Sequence, residues 1–249
     1  MKIRRFRIPR GKIHGPRAII DDPGEIRHIC KVLRLGEGDA VGLFDGEGGE
    51  YRAAITRISP GQIILTLAPE GAPVRAESPL RIVLGMALLK SSKFEWLLQK
   101  ATELGVSEVF PFSSSRVIPR REEEQSRGRL TRWEKIVAEA AKQCGRTLLP
   151  KVHSPCSFEE VLETGRGEEM KIFLWEKEAT KTLGDALMTT TPAIFLLVGP
   201  EGGFSDPEAL RAQELGFEPV RLGPRILRAE TAAIAGITLL QYMRGDLSR

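Results

Sequence analysis

Two stretches decide the fold, LVGPEGGFS at residues 197–205 and RLGPRILRAETA at residues 221–232. Each follows an apolar run and precedes a pattern that is typical of a helix. When strands alternate with helices they form a parallel sheet, and the loops after the strands lie at its carboxyl edge, where α/β proteins bind small ligands. The two stretches therefore predict a parallel sheet with a ligand site at that edge.

The same alternation extends over most of the chain beyond residue 80. Strand patterns lie at residues 80–89, 109–112, 170–175, 193–198 and 219–222, and helix patterns lie at residues 94–104, 130–143, 183–188, 207–215 and 229–243. This order predicts a mostly parallel sheet that is covered by helices on both faces.

The N-terminal part has a different pattern. Short apolar or β-branched runs at residues 40–44, 51–58 and 62–67 are separated by turn clusters, which predicts hairpins of a small β-barrel. The Pro- and Gly-containing segment at residues 69–79 is unsuited to a central strand and is typical of a linker. We therefore predict a β domain over residues 1–74 and an α/β domain over residues 75–249.

The composition, with 41% hydrophobic and 28% charged residues, is that of a globular protein with a full core. The three cysteines show no CxxC spacing and the three histidines are scattered, so we expect neither a disulfide framework nor a metal site. The longest uncharged run, residues 231–243, is shorter than the roughly 20 residues that span a bilayer. No secretory signal opens the chain, and we expect a cytoplasmic protein without a membrane segment.

Basic residues are concentrated at the N-terminus. The first 20 residues carry seven lysines and arginines and no acid, although the net charge of the whole chain is only +4. A concentrated basic arm is typical of phosphate contacts, and the alternative is a solvated tail.

The glycine pattern excludes two common nucleotide sites. Gly199, Gly202 and Gly203 do not form GxGxxG, no acidic residue follows the next strand at Leu222, and GxxxxGK[ST] is absent. Glu201 among glycines suits a cationic nucleoside such as S-adenosylmethionine better than a phosphate.

GPEGGF at residues 199–204, followed by LGPRILRAETA at residues 222–232, closely resembles the RsmE family of SPOUT methyltransferases, which methylate N3 of a uridine in 16S ribosomal RNA. KATELGV at residues 100–106, the helix at residues 133–143, and the group of His28, 32–34 and 38–39 also match the family, so the resemblance covers nearly the whole chain. Lys142 stands where the family often has an acid or amide, and this departure affects no catalytic assignment.

The resemblance implies a SPOUT-type trefoil-knotted α/β domain with an N-terminal PUA-like β-barrel. The last helix would thread behind the loop after residue 198, and the glycines would allow backbone to pass close to backbone. Ordinary folds avoid knots, and this family is an exception. The helix at residues 229–243 is apolar nearly all round, which indicates burial. The resemblance implies a homodimer through it, and the alternative is burial in its own subunit.

Carried over by position, the resemblance implies a set of S-adenosylmethionine contacts. The set is Leu174, Val198, Gly199, Pro200, Glu201, Gly202, Leu222, Gly223, Ile226 and Leu227, with Thr231 and Ala232 closing the pocket. For Leu174, Leu222 and Leu227, ordinary core packing is the alternative.

Uracil N3 carries a proton and is a poor nucleophile until that proton leaves. We expect Arg228 to stabilise the anion, because its guanidinium is always charged, and Glu230 or Glu201 to accept the proton. Either carboxylate could instead stabilise a helix N-terminus.

The expected partner is 16S ribosomal RNA or the small ribosomal subunit. The candidate RNA-binding residues are Arg4, Arg5, Arg7, Arg10, Lys12, His28, Arg34 and Arg116. His28 could equally be buried in the barrel, and the charged insertion at residues 116–132 could be merely solvated. Two rival hypotheses remain: a noncatalytic ribosome-binding factor with this fold, and a SPOUT enzyme that methylates a ribose 2′-hydroxyl.

Overall fold

The structure is a computed structural model, which describes residues 3–69, 77–115, 123–188 and 191–248, with the backbone alone at residues 123–127. The chain forms two compact units, one of Met1–Glu77 with Ala141–Leu149 and one of Ser78–Ala140 with Pro150–Arg249. We call them unit one and unit two. The predicted boundary between residues 74 and 75 lies outside the described residues, and sequence analysis did not anticipate that residues 141–149 belong with unit one.

Unit one is a curled six-stranded sheet in the order β1-β4-β5-β6-β3-β2. Its strands are β1 (Arg5–Arg7), β2 (Ile13–His14), β3 (Arg17–Ile20), β4 (Ala40–Phe44), β5 (Glu50–Ser59) and β6 (Gln62–Leu67), with a short helix α1 (Pro23–Arg27) after β3. All pairs are antiparallel except β1 with β4. Phe6, Leu43 and Leu65 are fully buried in its core. The three predicted strands of this unit are confirmed.

The expected basic arm is partly a strand. Phe6 and Ile8 are fully buried, while Arg7 between them is exposed. This period of two was a strand signal in the sequence. The alternative of a solvated tail is therefore wrong for Arg5–Arg7, because apolar side chains between the arginines anchor the segment in the sheet.

Unit two contains a parallel seven-stranded sheet in the order β10-β8-β7-β12-β11-β13, with β9 paired to β8. The strands are β7 (Arg81–Ala87), β8 (Glu108–Ser113), β9 (Lys151–Val152), β10 (Cys156–Ser157), β11 (Met170–Leu174), β12 (Ala193–Val198) and β13 (Glu218–Val220). The helices are α2 (Ser91–Glu103), α3 (Glu123–Cys144), α4 (Phe158–Thr164), α5 (Leu183–Ala186), α6 (Asp206–Glu214) and α7 (Ala229–Arg244). The last four residues of α3 belong to unit one.

The predicted strand and helix order of unit two is confirmed, and three further elements were missed. Strands β9 and β10 have two residues each, too few to show a period. Helix α4 is short, but its start had a readable signal, because Ser157 and Glu160 form a capping box.

The central strand β12 has the sequence AIFLLV and is buried on both sides, as expected for an inner parallel strand. Helix α7 packs closely on this part of the sheet, since a Cβ added to Gly236 would lie 3.3 Å from the side chains of Leu174 and Leu196. This packing brings the first turn of α7 to the carboxyl edge of the sheet.

Local backbone geometry and packing explain why glycine occupies three positions of the two loops. Gly203 and Gly223 adopt φ angles of +68° and +88°, which favour glycine. A Cβ on Gly199 would lie 3.1 Å from the ring of Phe204. A side-chain ring and left-handed backbone, rather than the expected close passage of two backbones, thus explain these three positions.

Candidate functional site

A cavity of about 320 Å³ lies at the carboxyl edge of the sheet in unit two. Its wall consists of Leu174, Trp175, Glu176, residues 198–203, residues 220–227, Ala229 and Ala232. These residues end or follow β11, β12 and β13 or belong to the first turn of α7.

The register of the strands explains why these loops meet. Leu174 at the end of β11 pairs with Val198 at the end of β12 and with Val220 at the end of β13. Three parallel strands therefore end at one level, and the loops that follow them surround one space.

The structure brings together nearly all of the predicted cofactor residues. Leu174, Val198, Gly199, Pro200, Glu201, Gly202, Leu222, Gly223, Ile226, Leu227 and Ala232 line the cavity, and Thr231 does not. The lining residues that sequence analysis missed are Trp175, Glu176, Gly203, Val220, Arg221, Pro224, Arg225 and Ala229. Trp175 and Glu176 had a usable signal, because Trp175 ends a predicted strand and Glu176 directly follows it.

Buried polar atoms without partners concentrate around this cavity. Within the described ranges, four buried side-chain atoms lack a hydrogen bond, and Trp175 Nε1, Arg221 Nε and Glu230 Oε2 are three of them. An unsatisfied buried polar group costs about 1–3 kcal/mol, so native structures contain few. The two donors belong to lining residues, which indicates a ligand with hydrogen-bond acceptors.

The functional groups of S-adenosylmethionine are complementary to the residues that line this cavity. Its carboxylate and ribose hydroxyls can accept hydrogen bonds from Trp175 and Arg221, and the carboxylates of Glu176 and Glu201 suit its positive charge. The side chains of Leu174, Val198 and Leu227 offer apolar surface for a base. A cleft that combines apolar surface with a small number of polar groups is usual for a small-molecule site.

Lys93 in the first turn of α2 joins two of the predicted catalytic carboxylates. Its Nζ donates a hydrogen bond to Glu201 Oε1 and lies 3.4 Å from Glu230 Oε1. The hydrogen bond from Lys93 lowers the pKa of Glu201, with further lowering by the charges of Lys93, Lys90 and Arg228. Glu201 is therefore ionised at neutral pH and is a weak proton acceptor.

Arg228 and Glu230 flank the cavity without lining it. Arg228 is exposed at the N-cap position of α7, and its side chain makes no hydrogen bond or ion pair with a described residue. Glu230 is in the first turn of the same helix, and its side chain is 14% exposed. The guanidinium of Arg228 is thus available to a substrate.

Arg5, a candidate for RNA contacts, is occupied inside unit one. Its guanidinium donates to Glu50 Oε1 at 2.9 Å and to the carbonyl oxygen of Arg146 at 3.1 Å, and it lies over the ring of Phe44. With 16% of its side chain exposed, Arg5 stabilises the unit and is not offered to a phosphate.

The other basic candidates of unit one are placed differently. Arg4, Arg7 and Arg34 are exposed. Arg10 is exposed beside Glu47 at 3.4 Å, and Lys12 is paired with Asp21. His28 is half-buried with its ring against that of Phe6, and Arg116 lies outside the described residues.

Neither a cluster of metal ligands nor a membrane-spanning helix occurs in the ranges that the structure describes. No group of three or more histidine, cysteine, aspartate or glutamate side chains there could hold a metal ion. No helix within those ranges has the length and apolar character needed to cross a bilayer.

Comparison with known proteins gives consistent matches. An RNA methyltransferase domain model matches residues 76–241, and an RNA methyltransferase PUA domain model matches residues 20–68. Ribosomal RNA small subunit methyltransferase E of Bacillus subtilis (strain 168) is 30% identical over 89% of this chain and 90% of the relative. The protein of that name from Synechocystis sp. is 36% identical over 88% of this chain and 71% of the relative.

A solved structure agrees with these sequences. The crystal structure of a ribosomal RNA small subunit methyltransferase E from Neisseria gonorrhoeae bound to S-adenosyl methionine has 34% sequence identity and a TM-score of 0.89. The superposition covers 99% of this chain and 100% of the other.

Proposed function

Because this chain belongs to the RNA methyltransferase family that includes ribosomal RNA small subunit methyltransferase E, we propose that it methylates N3 of a uridine in 16S ribosomal RNA. The chain is an S-adenosylmethionine-dependent ribosomal RNA methyltransferase. The predicted fold class, a SPOUT-type trefoil-knotted α/β domain with an N-terminal PUA-like barrel, is confirmed.

The single observation that carries the proposal is the cavity with its unpartnered buried donors. Trp175 Nε1 and Arg221 Nε would hold the cofactor by donating hydrogen bonds, and Glu201 would favour its charged sulfur. When bound, S-adenosylmethionine supplies a methyl group that is activated for nucleophilic attack by its bond to a positively charged sulfur. A preformed cavity of this kind orients the reactants and reduces the entropic part of the barrier.

The uridine step needs a proton acceptor and a stabilised anion. We assign the acceptor role to Glu230. Lys93 Nζ lies 3.4 Å from Glu230 Oε1, but Glu230 Oε2 is buried and unpartnered. The hydrogen bond from Lys93 lowers the pKa of Glu201, which makes that carboxylate the weaker acceptor. Arg228 would stabilise the negative charge that develops on the uracil carbonyl oxygens, since a guanidinium stays charged at every physiological pH.

For RNA binding we propose the exposed basic side chains of unit one. Arg4, Arg7, Arg10 and Arg34 would contact phosphates, and such contacts orient an RNA without reading its bases. Lys12 and the half-buried His28 are secondary candidates, because both already have partners within the unit.

We also propose a homodimer through unit two and, because ribosomal RNA is the substrate, a cytoplasmic location. The buried face of α7 carries Ala233, Ile237 and Leu240, and the opposite face exposes Leu239 and Tyr242. Exposed apolar groups in one patch are typical of protein contacts.

Small ribosomal subunits from cells that lack this protein provide the direct test. The purified protein, the subunits and methyl-labelled S-adenosylmethionine are incubated, and the modified nucleoside is identified by mass spectrometry. We expect N3-methyluridine at one position of 16S ribosomal RNA. A 2′-O-methylated nucleoside would favour the ribose-modifying alternative. If calorimetry detects no binding of S-adenosylmethionine, the protein is instead a noncatalytic factor.

A further inference from the structure

Lys93 contacts two elements that are far apart in sequence. Lys93 is in the first turn of α2, while Glu201 is in the loop after β12 and Glu230 is in the first turn of α7. The side chain of Lys93 is 32% exposed, so its ion pair with Glu201 is not deeply buried. A single ammonium group thus lies between a carboxylate of the cofactor cavity and the carboxylate to which we assign the proton.

The backbone of Lys93 is well fixed. Its neighbour Phe94 is fully buried and packs on the ring of Trp133 at a centroid distance of 4.6 Å. The amide nitrogen of Lys93 also donates to the carbonyl oxygen of Lys90 at 2.9 Å. The ammonium group therefore starts from a rigid base, which reduces the entropic cost of holding two carboxylates.

We call Lys93, Glu201 and Glu230 the cluster. The other positive charges near it cannot take over the contacts of the Lys93 ammonium group. Lys90 and Arg228 act on Glu201 only through space, whereas Lys93 also donates a hydrogen bond. Without its ammonium group, the carboxylates of Glu201 and Glu230 would face each other without a cation bonded to both. Like charges in that arrangement repel and would move the loop after β12 away from the first turn of α7.

We propose that Lys93 is a positioning residue for methyl transfer, which holds Glu201 against the cofactor cavity and Glu230 in place to receive the proton. This inference rests on the proposed function, because the proton acceptor is assigned there. Lys93 touches neither reactant in this scheme and acts through the two carboxylates.

A pH dependence follows from the same contacts. Lys93 lowers the pKa of Glu201 by hydrogen bonding and by charge. In Lys93→Met the pKa of the Glu201 carboxyl rises, because that carboxylate loses a hydrogen bond and a nearby positive charge. The acidic limb of the pH profile of kcat/KM therefore moves to higher pH. Lys90 and Arg228, the other charged groups that face the cluster, are present in both proteins.

The test compares Lys93→Met, Lys93→Arg and the control Lys100→Met, each checked for folding by circular dichroism. Lys100 belongs to the same helix and pairs only with Glu103 at 2.8 Å among the described acidic side chains. We expect Lys93→Met to lose roughly tenfold in affinity for S-adenosylmethionine, and 10- to 100-fold in kcat, because two reacting elements are misplaced. Lys93→Arg should keep the position of the acidic limb and recover part of kcat, and Lys100→Met should match the wild type.

The proposal is overturned if Lys93→Met binds S-adenosylmethionine as tightly as the wild type and its pH profile keeps its position. A wild-type protein that binds the cofactor and does not methylate small subunits would overturn the proposed function alone. The calorimetric comparison of Lys93→Met with Lys93→Arg would then still decide the role of Lys93.

Discussion

Ser114 Oγ donates a hydrogen bond of 2.9 Å to Glu208 Oε1, which ties the residue after β8 to the start of α6. The other carboxylate oxygen of Glu208 accepts from Ser205 N at 2.9 Å and Ser205 Oγ at 2.8 Å. Burial by itself raises the pKa of Glu208. The hydrogen bonds from Ser205, Ser115 and Ser114 together outweigh this effect, so the pKa lies below its usual value and the carboxylate stays ionised. One buried carboxylate thus fixes the end of the loop that lines the cavity.

Glu208→Gln should destabilise the protein by about 2 kcal/mol, because an amide nitrogen cannot accept the hydrogen bonds that one carboxylate oxygen now accepts. Urea unfolding measures the loss. Glu214→Gln is the control, since Glu214 is on the same helix and pairs with Arg211 at the surface. Equal unfolding free energies for the wild type and Glu208→Gln would contradict the assignment.

Trp175→Phe should weaken the binding of S-adenosylmethionine by roughly 3- to 10-fold, the equivalent of one lost hydrogen bond, while the ring remains in the wall. Isothermal titration calorimetry measures the change. Trp96→Phe, at an exposed position of α2, should bind the cofactor like the wild type. If Trp175→Phe also keeps wild-type affinity, its indole nitrogen does not contact the ligand.

Arg228→Ala should keep the fold and the cofactor affinity and lose on the order of 100-fold in kcat, as expected for one lost group that stabilises an anion. Folding should be unaffected, because Arg228 makes no side-chain cap hydrogen bond in α7. Single-turnover methylation gives the rate. Arg166→Ala is the control, because Arg166 is an exposed arginine that pairs with Glu163 and does not line the cavity. Wild-type turnover by Arg228→Ala would remove it from the mechanism.

Neutralising Arg4, Arg7 and Arg10 to glutamine should weaken RNA binding and reduce its salt dependence by up to roughly 0.7 to 0.9 per lost phosphate contact in log–log slope. Deletion of residues 1–12 is a poorer test, because Phe6 and Ile8 belong to the core of unit one. Filter binding of a 16S ribosomal RNA fragment across a salt series provides the slope. An unchanged slope, with cofactor affinity intact, would exclude this surface.

Tyr242→Glu should convert the proposed homodimer into monomers, because it places a charge in the exposed apolar patch of α7 while leaving the buried face intact. Tyr242 is 60% exposed, so we expect little change in the unfolding temperature. Sedimentation velocity distinguishes the two states. Glu214→Gln again serves as a surface control. A wild type that sediments as a monomer, or a Tyr242→Glu variant that remains dimeric, would disprove the proposed interface.

Much of the fold was readable from the sequence. The strands β4, β6 and β12 begin and end where apolar runs meet turn residues, because local propensity and burial agree there. Strand β1 is hard to predict because it is only three residues long and two of them are arginines, although Phe6 and Ile8 alternate with charged residues. The two-residue strands β9 and β10 carry no period at all and depend on the neighbouring strand β8.

The sequence by itself determined the alternating sheet, the two glycine-containing loops and, through its motifs, the family and cofactor. These features depend on residues that are near one another along the chain. The tertiary structure decided the contacts of Lys93 and Arg5, since the partner carboxylate of Lys93 is 108 residues away and that of Arg5 is 45 residues away. Such pairings arise only when packing brings distant elements together, because side-chain chemistry specifies which charges can pair, and the fold decides which ones meet.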